Sequence, residues 1–205
     1  MKLRYAPNSP FVRKVMVAAI ETGQMGRIEL VPTDYDDPAS DLARDNPLGR
    51  IPALVRDDGS VLIESGLICA WLDGEHRGPK LVPEEPDART AALQLQAYAD
   101  GLLEAAIQIQ RERARPQAMQ WERWIERQRG KMARTLDFLE REAARLAPPV
   151  TIGHIALGCA LGWIDFRIAD AGWRNGRPRL AAWHDAFAER PSMRETAPGA
   201  KGKAA

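Results

Sequence analysis

Ser9 is the residue best placed to do chemistry, in the run Asn8-Ser9-Pro10-Phe11-Val12-Arg13-Lys14. Leu3 and Tyr5 alternate with Arg4 as strand residues do, Pro7 and Asn8 break the strand, and Pro10 suits a first helical position, where its missing N–H costs nothing. Ser9 is then the N-cap. Its hydroxyl can close the free amides of the first turn, or it can address a bound anion that those amides and the helix dipole also favour.

Two further segments carry chemistry. In Asn46-Pro47-Leu48-Gly49-Arg50-Ile51-Pro52-Ala53-Leu54-Val55 a turn passes through an Ile-Pro bond into an apolar strand. Proline at a strand start is tolerated mainly at an edge or beside a ligand. If the bond is cis, the N–H and C=O of Ile51 face outward and can pair with an extended peptide; an ordinary trans proline is the alternative. In Val61-Leu62-Ile63-Glu64-Ser65-Gly66-Leu67, a β-rich run passes into helical spacing, with Ser65 read as a second N-cap ahead of Ile68, Cys69 and Leu72. Glu64 followed by Ser65 gathers a carboxylate, a hydroxyl and free N–H groups, a set suited to a molecule bearing both an ammonium and a carboxylate. A solvated Glu before a capped helix is the alternative.

The elements that must position these groups change character near Gly78. Before it, spacing predicts strands over 2–5, 28–31, 53–55 and 61–63, helices over 10–22 and 65–72, and a loosely helical 39–45. The three prolines of 79–86 read as a linker. After it, helices are predicted over 87–115, 119–146, 151–171 and 179–189, with no convincing strand.

Taken in order, the three segments resemble the glutathione S-transferase family, its bacterial and omega-like members in particular, and the resemblance covers nearly the whole chain. It implies an α/β thioredoxin-like N-terminal domain over 1–78, a linker over 79–86, and an all-α helical bundle domain over 87–195. The tail 196–205, rich in Gly, Ala and Lys, is expected to be disordered. The resemblance also implies a site. Ser9 acts on the sulfur of glutathione, and Ile51, ahead of Pro52, pairs with the cysteinyl backbone. Glu64 and Ser65 hold the γ-glutamyl group, while Phe11 and Arg50 line the tripeptide. Tyr5 is a rival hydroxyl, because some classes of the family use a tyrosine at the end of the first strand. Tyr98, Ile107, Arg111 and Trp163 are candidates to line the electrophile pocket, although core packing is the stronger reading of Ile107 and Trp163.

The implied activity is activation of the glutathione thiol, as co-substrate, for attack on a small electrophile or a peroxide, in a cytoplasmic homodimer. A non-catalytic glutathione- or ligand-binding or regulatory protein on the same fold is the alternative. A glutaredoxin-like thiol–disulfide oxidoreductase would need cysteine at position 9, and serine removes that chemistry. The family's buried S/T-x-x-D capping box has a counterpart in Thr151-Ile152-Gly153-His154, with histidine where the acid is expected. Such a histidine accepts the Thr151 amide only when neutral, so stability there should depend on pH.

Composition agrees with this reading. A formal net charge of +1 over 205 residues provides no field to gather nucleic acid or anionic lipid, so neither nucleic acid nor membrane is expected as a partner. His76, His154 and His184 show no ligand spacing, and no metal is expected. Residues 15–20 are too short an apolar stretch for a secretory signal. Cys69 and Cys159 both sit among apolar residues and read as buried free thiols, consistent with the cytoplasm.

Overall fold

The computed structural model describes residues 1–37 and 39–199. Strands β1 (Lys2–Tyr5), β2 (Glu29–Pro32), β3 (Ala53–Val55) and β4 (Val61–Ile63) form one mixed sheet in the order β2-β1-β3-β4. β1 runs parallel to β2 and antiparallel to β3, which pairs antiparallel with β4. A parallel pair needs a crossover, and α1 (Pro10–Glu21) supplies it. A single turn, α2 (Leu42–Asp45), precedes β3, and α3 (Ser65–Gly74) follows β4. Leu3 and Leu54 of the two central strands are fully buried, α1 packs on α3, and Val12 and Val15 of the one and Ile68 and Leu72 of the other are buried. This is the thioredoxin-like β-α-β, β-β-α order that the resemblance implies.

The chain forms two compact units, one of Met1–Glu84 together with Pro191 onward, the other Glu85–Arg190. The proline-rich stretch after α3 is tied down. The Asp73 carboxylate accepts the amides of Leu81 and Val82 at 2.7 and 2.9 Å, and Lys80 donates to the carbonyls of Asp73 and His76. The helices of the second unit are α4 (Pro86–Arg113), α5 (Glu122–Arg141), α6 (Ile152–Arg167) and α7 (Pro178–Ala188). The expected helices over 119–146 and 151–171 are each shorter, because 3-10 turns at Gln117–Met119, Ala143–Arg145 and Ala169–Ala171 flank them. Helical spacing alone does not separate such turns from an α-helix.

The expectation of one helical domain over 87–195 is corrected at its end. The last helix, α8 (Pro191–Glu195), packs on α1 in the first unit. Buried Arg13 donates to the Met193 carbonyl at 2.9 Å and to the Thr196 hydroxyl at 3.3 Å, and the Ser192 hydroxyl donates to Glu21. Nothing in helical periodicity reveals that an arginine near the start of the chain binds its last helix. Of the tail expected to be disordered, Thr196 instead turns back on α8, its hydroxyl donating to the Ser192 carbonyl at 2.7 Å. Residues 200–205 lie outside the described residues.

Helix α6 is buried all round over its first ten residues, as a helix apolar on every face must be. It approaches α4 at Gly153, where an added Cβ would meet the Ala92 carbonyl oxygen at 2.6 Å and Leu95 Cβ at 2.7 Å. Gly153→Ala is therefore expected to destabilise by about 1–3 kcal/mol. Denaturant unfolding measures this, and an unchanged midpoint would mean that the two helices part at little cost.

The capping box at the head of α6 forms with histidine in the acid's place. His154 Nδ1 accepts the Thr151 amide at 3.0 Å and lies 2.8 Å from the Thr151 hydroxyl, so this nitrogen is the unprotonated one. Burial, and then the positive charge of Arg190, push the imidazole below its ordinary value. The folded state thus binds the proton less readily than the unfolded chain. The stability contributed is complete above the unfolded value of about 6.5 and is lost as pH falls through the folded one. Between pH of about 7 and 5, wild type should lose stability while His154→Asp, whose carboxylate still accepts, loses much less. Unfolding curves that shift in parallel across this window would remove the assignment.

Candidate functional site

Sheet register brings the three segments to one place. Arg4 pairs with Ala53, and Ala53 pairs with Ile63. One step further along the ladder, Pro52 falls between Tyr5 and Glu64. The loop leaving β1, the turn entering β3 and the loop leaving β4 therefore emerge at the same end of the sheet, carrying Ser9, Ile51 and Glu64 with Ser65.

Ser9 is the N-cap of α1, and its Oγ accepts the Val12 amide at 3.3 Å. The Ser9 amide donates to the Ala6 carbonyl at 3.1 Å. Pro10 has no N–H, and the Phe11 amide is left at the positive end of the helix. Capping uses a lone pair of the serine oxygen and leaves its hydrogen to be donated elsewhere. The two roles weighed from sequence are thus compatible in one geometry. Phe11 is half-buried, with the ammonium of buried Lys14 lying 5.5 Å from its ring centroid. Tyr5 closes β1, its carbonyl accepting the Thr33 amide at 2.8 Å.

The Ile51-Pro52 bond is cis. Pro52 is buried, Ile51 half-buried and Arg50 exposed. The turn ahead of them is built on Asn46, which is only 2% exposed. Its Nδ2 donates to the Arg50 carbonyl at 2.7 Å, its Oδ1 accepts the Leu48 amide at 3.0 Å, and its own carbonyl accepts the Gly49 amide at 2.8 Å. Gly49 takes φ +61°, which glycine adopts freely. Sequence reasoning assigned no role to Asn46, although an asparagine opening a Pro-x-Gly turn signals a side chain that bonds the backbone two residues on.

Glu64 is the one residue other than glycine with positive φ among the described residues, at φ 68° and ψ 123°. Such a backbone costs about 1–3 kcal/mol for a residue with a Cβ and persists where the surroundings impose it, often at functional sites. Glu64, not Ser65, is the cap residue of α3, and its carbonyl accepts the Ile68 amide at 3.0 Å. The expectation of Ser65 as N-cap is corrected by one position. Ser65 is the first helical residue and is buried at 3% exposure, while the Glu64 side chain is exposed. The end of the sheet thus presents an exposed carboxylate, a buried hydroxyl and the amides of a second helix N-terminus. Among the described residues no group of three or more His, Cys, Asp or Glu is placed to hold a metal ion, and no helix is long and apolar enough to cross a membrane.

Comparison with known proteins gives a consistent family. The glutathione S-transferase N-terminal domain matches residues 3–80 and the C-terminal domain matches residues 122–186. An Escherichia coli (strain K12) protein described as the uncharacterized GST-like protein YibF is 33% identical over 202 residues, spanning 97% of this chain and 98% of its own. The crystal structure of a glutathione transferase family member from Pseudomonas fluorescens Pf-5 with bound glutathione superposes with a TM-score of 0.92 at 44% identity, over 96% of this chain and 98% of that one. A glutathione S-transferase from Methylobacillus flagellatus KT, also with glutathione bound, gives 0.89 at 34% identity over 96% and 98%. With both domains matched in order along the chain, the chain belongs to the glutathione S-transferase family.

Proposed function

We propose that this protein is a serine-type, omega-like glutathione transferase whose site is the sheet end built by Ser9, Ile51, Glu64 and Ser65. The observation that carries the reading is the convergence of these groups by register, with Glu64 held in a strained backbone at the point of convergence. Relatives of 44% and 34% identity hold glutathione in their crystal structures, which supports the same ligand here. In this reading the Ile51 backbone pairs with the cysteinyl unit of glutathione, ahead of Pro52. Glu64 and Ser65 take the γ-glutamyl ammonium and carboxylate, and Phe11 and Arg50 flank the tripeptide. Charge-assisted bonds of this kind are the strong ones.

Activation of the thiol follows from Ser9. A free thiol with pKa of about 8.5 is only a few per cent ionised at pH 7, and the thiolate is the nucleophile. The Ser9 hydrogen donated to sulfur, together with the positive end of α1, favours the thiolate over the thiol. The thiolate then attacks an electrophilic carbon and expels its leaving group, or attacks a peroxide oxygen, breaking the O–O bond to give an alcohol and the sulfenic acid of glutathione, which a second glutathione thiol converts to the disulfide and water. The family resemblance supports a cytoplasmic homodimer. A binding or regulatory protein without turnover is the competing reading. Turnover with a panel of alkyl and aryl electrophiles and organic peroxides separates the two. A protein that binds glutathione and turns over none of them would be a binding protein.

A further inference from the structure

We propose that the tip of the helical unit, where α4 turns into α5, is a docking surface for a bilayer rich in anionic lipid. Polar bonds hold the turn from within. Gln120 Nε2 donates to the carbonyls of Arg113 and Arg115 at 3.0 and 2.8 Å, and the Glu112 carboxylate accepts the Trp121 amide at 2.9 Å and the Arg115 guanidinium at 3.1 Å. The apolar side chains are left outside. Met119 and Trp121 are each 59% exposed, the one case among the described residues in which large exposed apolar side chains stand two positions apart. Trp121 stacks on half-buried Trp124, ring centroids 6.1 Å apart and planes at 16°, so the indole is presented in a fixed place.

Charge is segregated around the same helix. Residues 111–131 hold seven Arg or Lys against three Glu, an excess of +4 in a chain whose total is +1. The near-neutral total, from which no membrane partner was expected, thus conceals a cationic region. At about 100° per residue, Arg123, Trp124, Arg127 and Lys131 fall on one flank of α5, Glu122, Glu126 and Arg129 on another, and buried Ile125, Gln128 and Met132 on the third. Arg123, Arg127 and Lys131 are exposed and in no ion pair among the described residues. A bilayer accepts this set as it stands, with Trp and Met at the boundary of headgroups and acyl chains and the cations at the lipid phosphates. Other occupants fit less well. A second copy meeting this surface across a two-fold axis would bring like charges together. A stable protein interface takes roughly 800 Å² from each partner, whereas one Trp and one Met offer on the order of 200–300 Å². Single-stranded nucleic acid stacks successive bases along a basic groove, and here the two rings stack on each other beside a turn exposed throughout 114–119.

The test is co-sedimentation of the full-length protein with vesicles of equal parts phosphatidylglycerol and phosphatidylcholine, and with phosphatidylcholine alone. Binding to the neutral vesicles should be weaker by about tenfold or more, since each arginine at an anionic bilayer surface is worth about fivefold. Replacing Arg123 and Arg127 together by Gln should weaken binding to the anionic vesicles about thirtyfold by the same arithmetic. Trp121→Ala keeps the backbone amide that Glu112 accepts and should weaken it about tenfold. Gln117→Lys adds a cation at an exposed position of the turn and should tighten it about fivefold, a gain that a damaged fold does not give. Equal binding to both vesicles, no binding by wild type and Gln117→Lys, or undiminished binding by Trp121→Ala would each overturn the proposal. So would an oligomer, or a complex with a single-stranded oligonucleotide, that forms in place of vesicle binding and is lost in Trp121→Ala.

Discussion

Replacing Glu64 and Ser65 together by alanine is expected to weaken glutathione binding by about 2–4 kcal/mol, roughly 30- to 700-fold in Kd, through loss of charge-assisted bonds to the γ-glutamyl end. Calorimetry gives the number directly, and an affinity within threefold of wild type would remove both residues from the site. A companion variant separates binding from stability. Glu64→Gly relieves a backbone at φ 68° while deleting an exposed side chain. The strain released, about 1–3 kcal/mol, exceeds the roughly 0.5–1 kcal/mol of added freedom glycine gives the unfolded chain. A net gain near 1 kcal/mol raises the melting temperature by about 2–4 °C in a chain of this size. The Glu64→Gly protein should thus be more stable and bind glutathione less well, an opposition that a purely structural Glu64 does not produce.

Changing Ser9 should alter the reaction itself. Ser9→Ala removes the donor to sulfur, so conjugation at pH 7 slows by up to about tenfold for each unit by which the bound thiol's pKa rises, while affinity changes little. The same variant loses the bond that accepts the Val12 amide, which costs about 1 kcal/mol of stability. Ser9→Cys should instead introduce thiol transfer. A cysteine at a helix N-terminus ionises readily, and its thiolate attacks a glutathionylated disulfide, expelling the substrate thiolate and forming a mixed disulfide with glutathione. A second glutathione thiolate then releases oxidised glutathione and restores the cysteine thiolate. Release of reduced substrate by Ser9→Cys and none by wild type is the expected contrast.

Much of the fold was legible because its signals are local. Pro10 and Ser9 mark the start of α1, the strands alternate or run apolar, and the prolines after Gly78 interrupt a change from mixed to helical spacing. What escaped depends on distant partners or on backbone angles. The attachment of α8 to α1 rests on Arg13, remote from it in sequence, and the shortening of α5 and α6 rests on 3-10 turns whose spacing resembles a helix. At the site, the residue types were readable in order, and the register that gathers them was not, since a pairing such as Arg4 with Ala53 is set only once the sheet forms. The role of Asn46 could have been read from turn chemistry. The positive φ of Glu64 could not, because nothing in a glutamate announces it.

In the proposed mechanism Ser9 sets the ionisation of the bound thiol. A pH titration of thiolate absorbance, with glutathione bound to wild type and to Ser9→Ala, tests it without any assumption about the electrophile. The midpoint in wild type should lie below the free value of about 8.5, and Ser9→Ala should raise it by about one unit, each unit corresponding to about 1.4 kcal/mol of differential stabilisation. Superimposable curves would contradict the account: Ser9 would then be a helix cap alone, and the hydroxyl acting on sulfur would have to be sought at Tyr5.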